Sequence, residues 1–311
     1  MKTATLQKQY KEHLSDFYDW VEQFPDEVAL IYPENFGKRM SIDEVALSNG
    51  ELYTVITNKE KKGRKGCLAA LIKGTKAEIV NTALEEVPVE ICLTVEEITL
   101  DLANTMDWIC RTSFPFAVRT ADRFHFQKIV TEGVQDIRTK LRREAIDEYN
   151  MLVAEAKKRG GKYTAPVYSN GDTKKQLLAR GRYLLFKPQT KWTDSQRERA
   201  EVLCEHFPEL KKAYDLSMYF RGIFESSSTR EQGKERLQQW YKKVSKSNLP
   251  DLESAANTIA THEGVILNYF HNRETNASAE SFNAKLKGFR SLLRGVRDIN
   301  FFLFRIEKLY A

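Results

Sequence analysis

A chain of 311 residues with 41% hydrophobic and 30% charged side chains holds enough apolar material for one large or two smaller domains. No apolar run approaches the ~20 residues of a membrane span, and the N-terminal stretch has no apolar signal segment. The four cysteines (Cys67, Cys92, Cys110, Cys204) are too scattered for a zinc site or a disulfide framework, so a cytoplasmic protein is expected.

The net charge of +6 is modest but unevenly spread. Eight acids and no Lys or Arg fall between Ala77 and Cys110, whereas Glu51 to Lys76 carries seven bases against two acids. From Asn276 onward there are seven bases against three acids. Basic segments flanking an acidic lobe suit a polyanion partner, although an ordinary solvated surface carries the same charges.

Residues 1–31 read as one or two amphipathic helices, with Leu14, Phe17, Tyr18, Val21 and Phe24 recurring at three and four. Met40 to Leu47 then reads as a strand around Asp43. Asn49-Gly50 marks a hairpin turn, because both residues tolerate positive φ, and Glu51 to Thr57 returns. A carboxylate in a central strand is costly unless a cation compensates it or the strand face is solvated. The charged loop Asn58–Gly66 leads to a third strand, Cys67–Ile72. Thr75 to Val87 has helical spacing, Val95–Asp101 is a strand ending in a carboxylate, and a helix carrying Met106, Ile109 and Cys110 follows. Phe116–Ala121 is a fifth strand, closing on Asp122-Arg123-Phe124-His125. The order β-β-β-α-β-α-β makes an antiparallel meander followed by parallel crossovers, hence a mixed α/β sheet with function at strand ends.

From Phe126 to about Phe270 the pattern is almost wholly helical: one long charged helix to Arg159, then Lys174–Phe186, then a helix capped by Thr193-x-x-Gln196 and ended by Pro208. Further helices fall around Leu210–Phe224, Glu231–Val244 and Leu252–Tyr269. His206, His262 and His271 lack a ligand partner and read as structural, and Trp192 and Trp240 as core. From Ala277 to Arg294, Phe282, Leu286, Phe289 and Leu293 form one apolar stripe. Glu280, Asn283, Lys287 and Arg294 lie on another face, with Lys285 and Arg290 close by. That face suits a metal ligand followed by phosphate contacts, or an ordinary surface helix with an acid at its N-terminal dipole.

Four landmarks in order carry a family resemblance: Ser41-Ile42-Asp43-Glu44-Val45-Ala46-Leu47-Ser48-Asn49-Gly50; Lys73-Gly74-Thr75-Lys76; Glu97-Ile98-Thr99-Leu100-Asp101 with Phe114-Pro115 and Asp122-Arg123-Phe124-His125; and Thr275-Asn276-Ala277-Ser278-Ala279-Glu280-Ser281-Phe282-Asn283. From about residue 38 onward the chain resembles the DDE transposases of bacterial insertion sequences, in the ISL-three family and, within it, the ISAon-one group. The resemblance implies a ribonuclease H-like fold: a mixed five-stranded sheet with a large all-α insertion before the last catalytic helix. It divides the chain into an N-terminal helical segment (1–39), the first part of the core (40–135), the insertion (136–270) and the C-terminal helices of the core (271–311).

It also implies a catalytic and metal-binding triad of Asp43, Asp101 and Glu280. Asp122, His125 and Asn283 are supporting candidates; His125 could contact DNA, but a His packed against the sheet edge is its more ordinary reading. Three converging carboxylates raise one another's pKa unless cations join them, and oxygen ligands suit two Mg²⁺ (or Mn²⁺) ions. Asp43 would bridge both ions. Lys59, Lys61, Lys62, Arg64 and Lys65 in the hairpin loop, with Lys285, Lys287 and Arg290, are expected to contact DNA phosphates.

The implied activity is strand cleavage at transposon ends and 3′-hydroxyl transfer into target DNA, with a nuclease lacking the joining step or a non-enzymatic DNA-binding remnant as alternatives. Unlike many family members, the chain carries no cysteine-rich segment ahead of the first strand. The ISAon-one resemblance implies a separate N-terminal-region DNA-binding protein as a partner, together with a homo-oligomer in the synaptic complex and nucleoid association on DNA.

Overall fold

A computed structural model describes residues 3–23, 29–47, 51–273, 275–292 and 298–311. Two helices, α1 (Thr3–Gln9) and α2 (Phe17–Gln23), precede β1 (Ala29–Ile31), β2 (Arg39–Ala46), β3 (Leu52–Asn58) and β4 (Leu68–Lys73). Next come α3 (Ala77–Leu84), α4 (Val89–Leu93), β5 (Glu97–Leu100), α5 (Asn104–Ser113) and β6 (Val118–Ala121). The strands form one mixed sheet in the order β1-β4-β3-β2-β5-β6. The β1–β4, β3–β4 and β2–β3 pairs are antiparallel, and β2–β5 and β5–β6 are parallel. Crossovers through helices account for the parallel pairs, since antiparallel neighbours alone can be joined by short turns.

Six strands replace the five expected. The added one, Ala29–Ile31, lies in a stretch that reads as helical, and its pairing with Ala70–Ile72 makes it an edge strand. The helical stripe predicted before it is only half right. Phe17 and Trp20 are buried, whereas Leu14 and Tyr18 are 75% and 53% exposed. Phe24, the Asn49-Gly50 turn, Leu293 and Arg294 lie outside the described residues.

The chain divides into two compact units, one of Met1–Arg123 with Asn272–Ala311 and one of Phe124–His271. In the first, α14 (Ala277–Leu292) and α15 (Ile299–Tyr310) close the core of the sheet. Phe282 and Leu286 of α14 join Val45, Tyr53, Cys67 and Leu71, while Phe301 and Phe304 of α15 meet Phe17 and Trp20. Edge-to-face rings such as Phe17–Phe301, at 5.2 Å, add to area burial. Glu307 fixes α15 by accepting hydrogen bonds from Trp20 Nε1 (2.6 Å) and Tyr32 Oη (2.9 Å).

The second unit has helices but no strand among its described residues, only one isolated bridge, Val167 to Thr173. It holds α6 (Arg123–Lys158, from its second residue), α7 (Lys174–Arg180), α8 (Asp194–His206), α9 (Pro208–Ser226), α10 (Arg230–Ser245), α11 (Pro250–Thr261), α12 (Glu263–Leu267) and most of α13 (Tyr269–Asn272). The boundary expected between 135 and 136 falls inside α6, a single 36-residue helix. The Thr193 capping box is made reciprocally, each partner 3.3 Å from the other's backbone nitrogen. Pro208 does more than stop a helix: it occupies the first turn of α9, where its missing N–H costs nothing. The helix expected to run to Phe186 ends at Arg180 with Gly181 after it, and the one expected over Leu252–Tyr269 breaks at His262. Trp240 is fully buried and donates to Leu216 O at 2.9 Å. No helix among the described residues is long and apolar enough to cross a membrane.

Candidate active site

Asp43 sits on β2, an inner strand, and Asp101 directly follows β5, its parallel neighbour. The strand register pairs Ser41 with Thr99, so two further residues along set Asp43 level with Asp101. On the far side, Leu100 pairs with Ala121, which sets Asp101 level with Asp122. Residues level on adjacent strands share a face, so Asp43, inside β2, and Asp101 and Asp122, just past the ends of β5 and β6, line up across three parallel strands. Their charge is felt locally. Burial, then Asp101 and Asp43, push the Glu44 carboxyl above the usual glutamate range.

Helix α14 lies against β2 and carries Asn276 (just before it), Glu280, Asn283 and Lys287 at spacings of four, three and four, one stripe of a helix. Two members of the stripe touch the strand. Ser41 Oγ donates to Asn276 Oδ1, and Asn283 Nδ2 donates to Asp43 Oδ2 at 2.8 Å. Glu280 occupies the turn between these contacts, on the first turn of α14. The other oxygen of Asp43 accepts from Glu44 N at 2.8 Å. Asp101 accepts in the same way from Leu102 N. Each aspartate is thus held in one orientation by its own backbone.

The supporting candidates separate clearly. Asp122 is 1% exposed, and its Oδ1 accepts from Asn276 N at 3.0 Å. It pins the entry to α14. His125 belongs to the other unit, on the first turn of α6, with its ring edge-on to Phe124 at 5.8 Å. Sequence reasoning passed over Ser41 and Asn276, and it also missed Glu97, which is buried and accepts from Thr120 Oγ1 (2.9 Å) and Asn272 Nδ2 (2.7 Å). An asparagine four residues before Glu280 was the one signal of this pairing, since that spacing puts both on one face.

The cations also sort by geometry. Lys61, Lys62, Arg64 and Lys65 are exposed after β3, and Lys285 Nζ reaches this loop at Gly63 O, 3.1 Å away. Lys287 is exposed on α14. Two expected phosphate contacts are instead turned inward. Lys59 crosses the sheet to Thr99 Oγ1 at 2.8 Å. Arg290 is 11% exposed at its side chain, 3.8 Å from Glu51 and over the Phe302 ring.

Among the described residues, no three Asp, Glu, His or Cys side chains stand gathered for a metal ion. The donor chemistry at β2 and β5 nonetheless fits a hard divalent cation: level carboxylates and a buried carboxamide oxygen, Asn283 Oδ1, with no hydrogen-bond partner among the described residues.

A family model described as transposase, of the ISL-three type, matches residues 40–306. The chain belongs to the ISL-three transposase family. The match begins at the first residues of β2 and runs through most of α15, so it contains every element that carries a candidate residue. Neither the curated proteins nor the solved structures include a match. As an insertion-sequence transposase, the chain acts in DNA transposition, a recombination reaction that cuts and joins DNA.

Proposed function

We propose that this transposase is a DDE enzyme of the ISAon-one group, which frees a 3′-hydroxyl at the ends of its element and joins it to target DNA. The reading rests on one observation above the others: the helix bearing Glu280 is tied by Asn283 to Asp43, one strand from Asp101. A ribonuclease H-like sheet is the fold proposed for it, since β4-β3-β2-β5-β6 runs as an antiparallel meander followed by two parallel strands.

In this proposal Asp43, Asp101 and Glu280 would hold two Mg²⁺ or Mn²⁺ ions. Such ions, when bound, supply Lewis-acid stabilisation of charge on the attacking and leaving oxygens at phosphorus. Asn283 orients Asp43, while Asp122 and Ser41 seat the start of α14. Exposed Lys61, Lys62, Arg64, Lys65, Lys285 and Lys287 track the phosphate backbone without reading sequence. Water attacks the phosphorus at the element end and the 3′-oxygen leaves. The resulting 3′-hydroxyl then attacks a target phosphate, whose own 3′-oxygen leaves. A homo-oligomer and a separate N-terminal-region DNA-binding protein complete the proposed complex.

A labelled duplex of the element end, incubated with target DNA and Mn²⁺, tests both steps. Asp43→Asn, Asp101→Asn and Glu280→Gln are each expected to lose roughly a thousandfold or more in cleavage, several kcal/mol of transition-state stabilisation, with circular dichroism unchanged. Cleavage without joined product would reduce the chain to a nuclease. Calorimetry showing no Mn²⁺ uptake that depends on the three acids would mark a DNA-binding remnant.

A further inference from the structure

The acidic stretch between Ala77 and Cys110 has a structural counterpart outside the candidate active site. Helices α3 and α4 and the end of α5 enclose an open groove of about 280 Å³, walled by Leu84, Val87, Val89, Leu93 and Pro115. Val89 and Leu93 stand four residues apart on α4 and are 67% and 43% exposed. A helix that shows two aliphatic side chains to water at i and i+4 has its apolar stripe turned outward, the opposite of a helix serving its own core. Phe116, next to the lining residue Pro115, is 75% exposed and extends the apolar surface. The groove is at the small end of ligand pockets, which run from ~300 Å³, and suits a few aliphatic side chains of a larger partner.

Charge decides what kind of partner. Glu85 lines the groove, and Glu78, Glu86 and Glu90 are exposed on the same two helices and the turn between them. None of the four forms an ion pair with a described residue. The nearest base on α5, Arg111, is held by Asp107 at 2.8 Å. An apolar groove with an uncompensated carboxylate rim repels nucleic acid and anionic bilayers and attracts a cationic protein surface. We infer that this groove docks a basic amphipathic helix of a second, different polypeptide, whose aliphatic stripe enters between Val89 and Leu93 and whose lysines or arginines meet the glutamates. Helix-in-groove recognition reads aliphatic anchors spaced at i, i+4 and i+7 along the partner helix. The inference does not depend on the phosphoryl-transfer reading of the carboxylates at β2 and β5.

The test uses the full chain and a fluorescein-labelled peptide of about 18 residues, long enough to form a helix, with leucines at i, i+4 and i+7 and lysines on the flanking positions. Fluorescence anisotropy is expected to show saturable binding. Val89→Asp with Leu93→Asp should weaken it at least about tenfold, and both sites are exposed, so the fold is retained. Glu85→Gln with Glu90→Gln should weaken it and flatten its dependence on salt. Equal binding of a peptide with the same composition but scrambled leucines would overturn the proposal, as would affinity unchanged in the Val89/Leu93 variant. Concentration-dependent self-association, seen by sedimentation and abolished by Val89→Asp with Leu93→Asp, would assign the groove to a second copy and overturn it equally.

Discussion

A carboxylate is worth what its neighbours make it, and three aspartates in this chain show how differently that works out. Asp43 has each oxygen committed, one to Glu44 N and one to Asn283 Nδ2. Asn283→Ala removes only the second, so the fold should persist while cleavage falls by about 10–100-fold, the range found when a residue supporting a metal ligand is lost. Mn²⁺ titration calorimetry should show a matching loss of affinity; an unchanged isotherm and rate would remove Asn283 from the site. Asp122 is spent on Asn276 N and so anchors a helix. Asp172 is purely structural. Burial pushes its carboxyl up, but hydrogen bonds from Arg199 and Arg180, with their charges, hold it below the ordinary aspartate value. A depressed pKa in the folded state means stability that is fully present above the unfolded value, near 3.8, and lost as pH falls through the folded one. Asp172→Asn should therefore cost about 1–3 kcal/mol at pH 7, discounted because Arg180 is half exposed. In urea titrations that difference should shrink below about pH 4; the same penalty at pH 3 and pH 7 would show that charge is not its source.

At the scale of elements, packing overrules propensity where the two compete. Gly233 lies inside α10, where alanine would ordinarily gain about 1 kcal/mol. A Cβ there would fall 2.1 Å from the Phe270 ring, which is itself stacked on Phe224 at 5.5 Å. Overpacking costs about 1–3 kcal/mol or more, so Gly233→Ala is expected to lower the urea midpoint of the helical unit despite its better helix former. A raised midpoint would mean that Phe270 moves aside freely. The same competition explains what the amino-acid order could reveal. Strands β2 to β6 and α14 were legible because their apolar periods repeat over four or more residues. Ala29–Ile31 was not, since three residues carry no period, and the strand is held by pairing with Ala70–Ile72, some forty positions away, and by Leu30 in the core. Leu14 and Tyr18 matched a helical stripe but lost the core to Phe17 and Trp20, which meet Phe301 and Phe304 of α15. Asp43, Asp101 and Glu280 are singled out together by the family resemblance; taken singly, each reads equally as a solvated acid or a carboxylate at a helix start. Ser41 and Asn276 were not legible, because a short polar side chain announces its partner only in three dimensions.

Within the first unit, exposed cations and exposed carboxylates concentrate on different segments of the chain. The exposed cations Lys61, Lys62, Arg64 and Lys65 cluster after β3, and Lys285 of α14 meets the same loop. Counterion release makes the logarithm of DNA affinity fall with the logarithm of salt by about 0.9 for each phosphate neutralised. Replacing the four loop cations by glutamine should therefore weaken binding to any duplex and flatten that slope by about 0.9 for every phosphate left without its cation. Lys59→Gln and Arg290→Gln provide the internal contrast. Their charges are engaged with Thr99 and Glu51 inside the first unit, so they should lower thermal stability and leave the salt slope where it was. The two outcomes are separable in one set of anisotropy titrations between low and moderate salt. A fourfold loop variant that keeps the parental slope would take the loop off the DNA-binding face. A flattened slope in Arg290→Gln would show that this guanidinium leaves Glu51 to reach the backbone when DNA arrives.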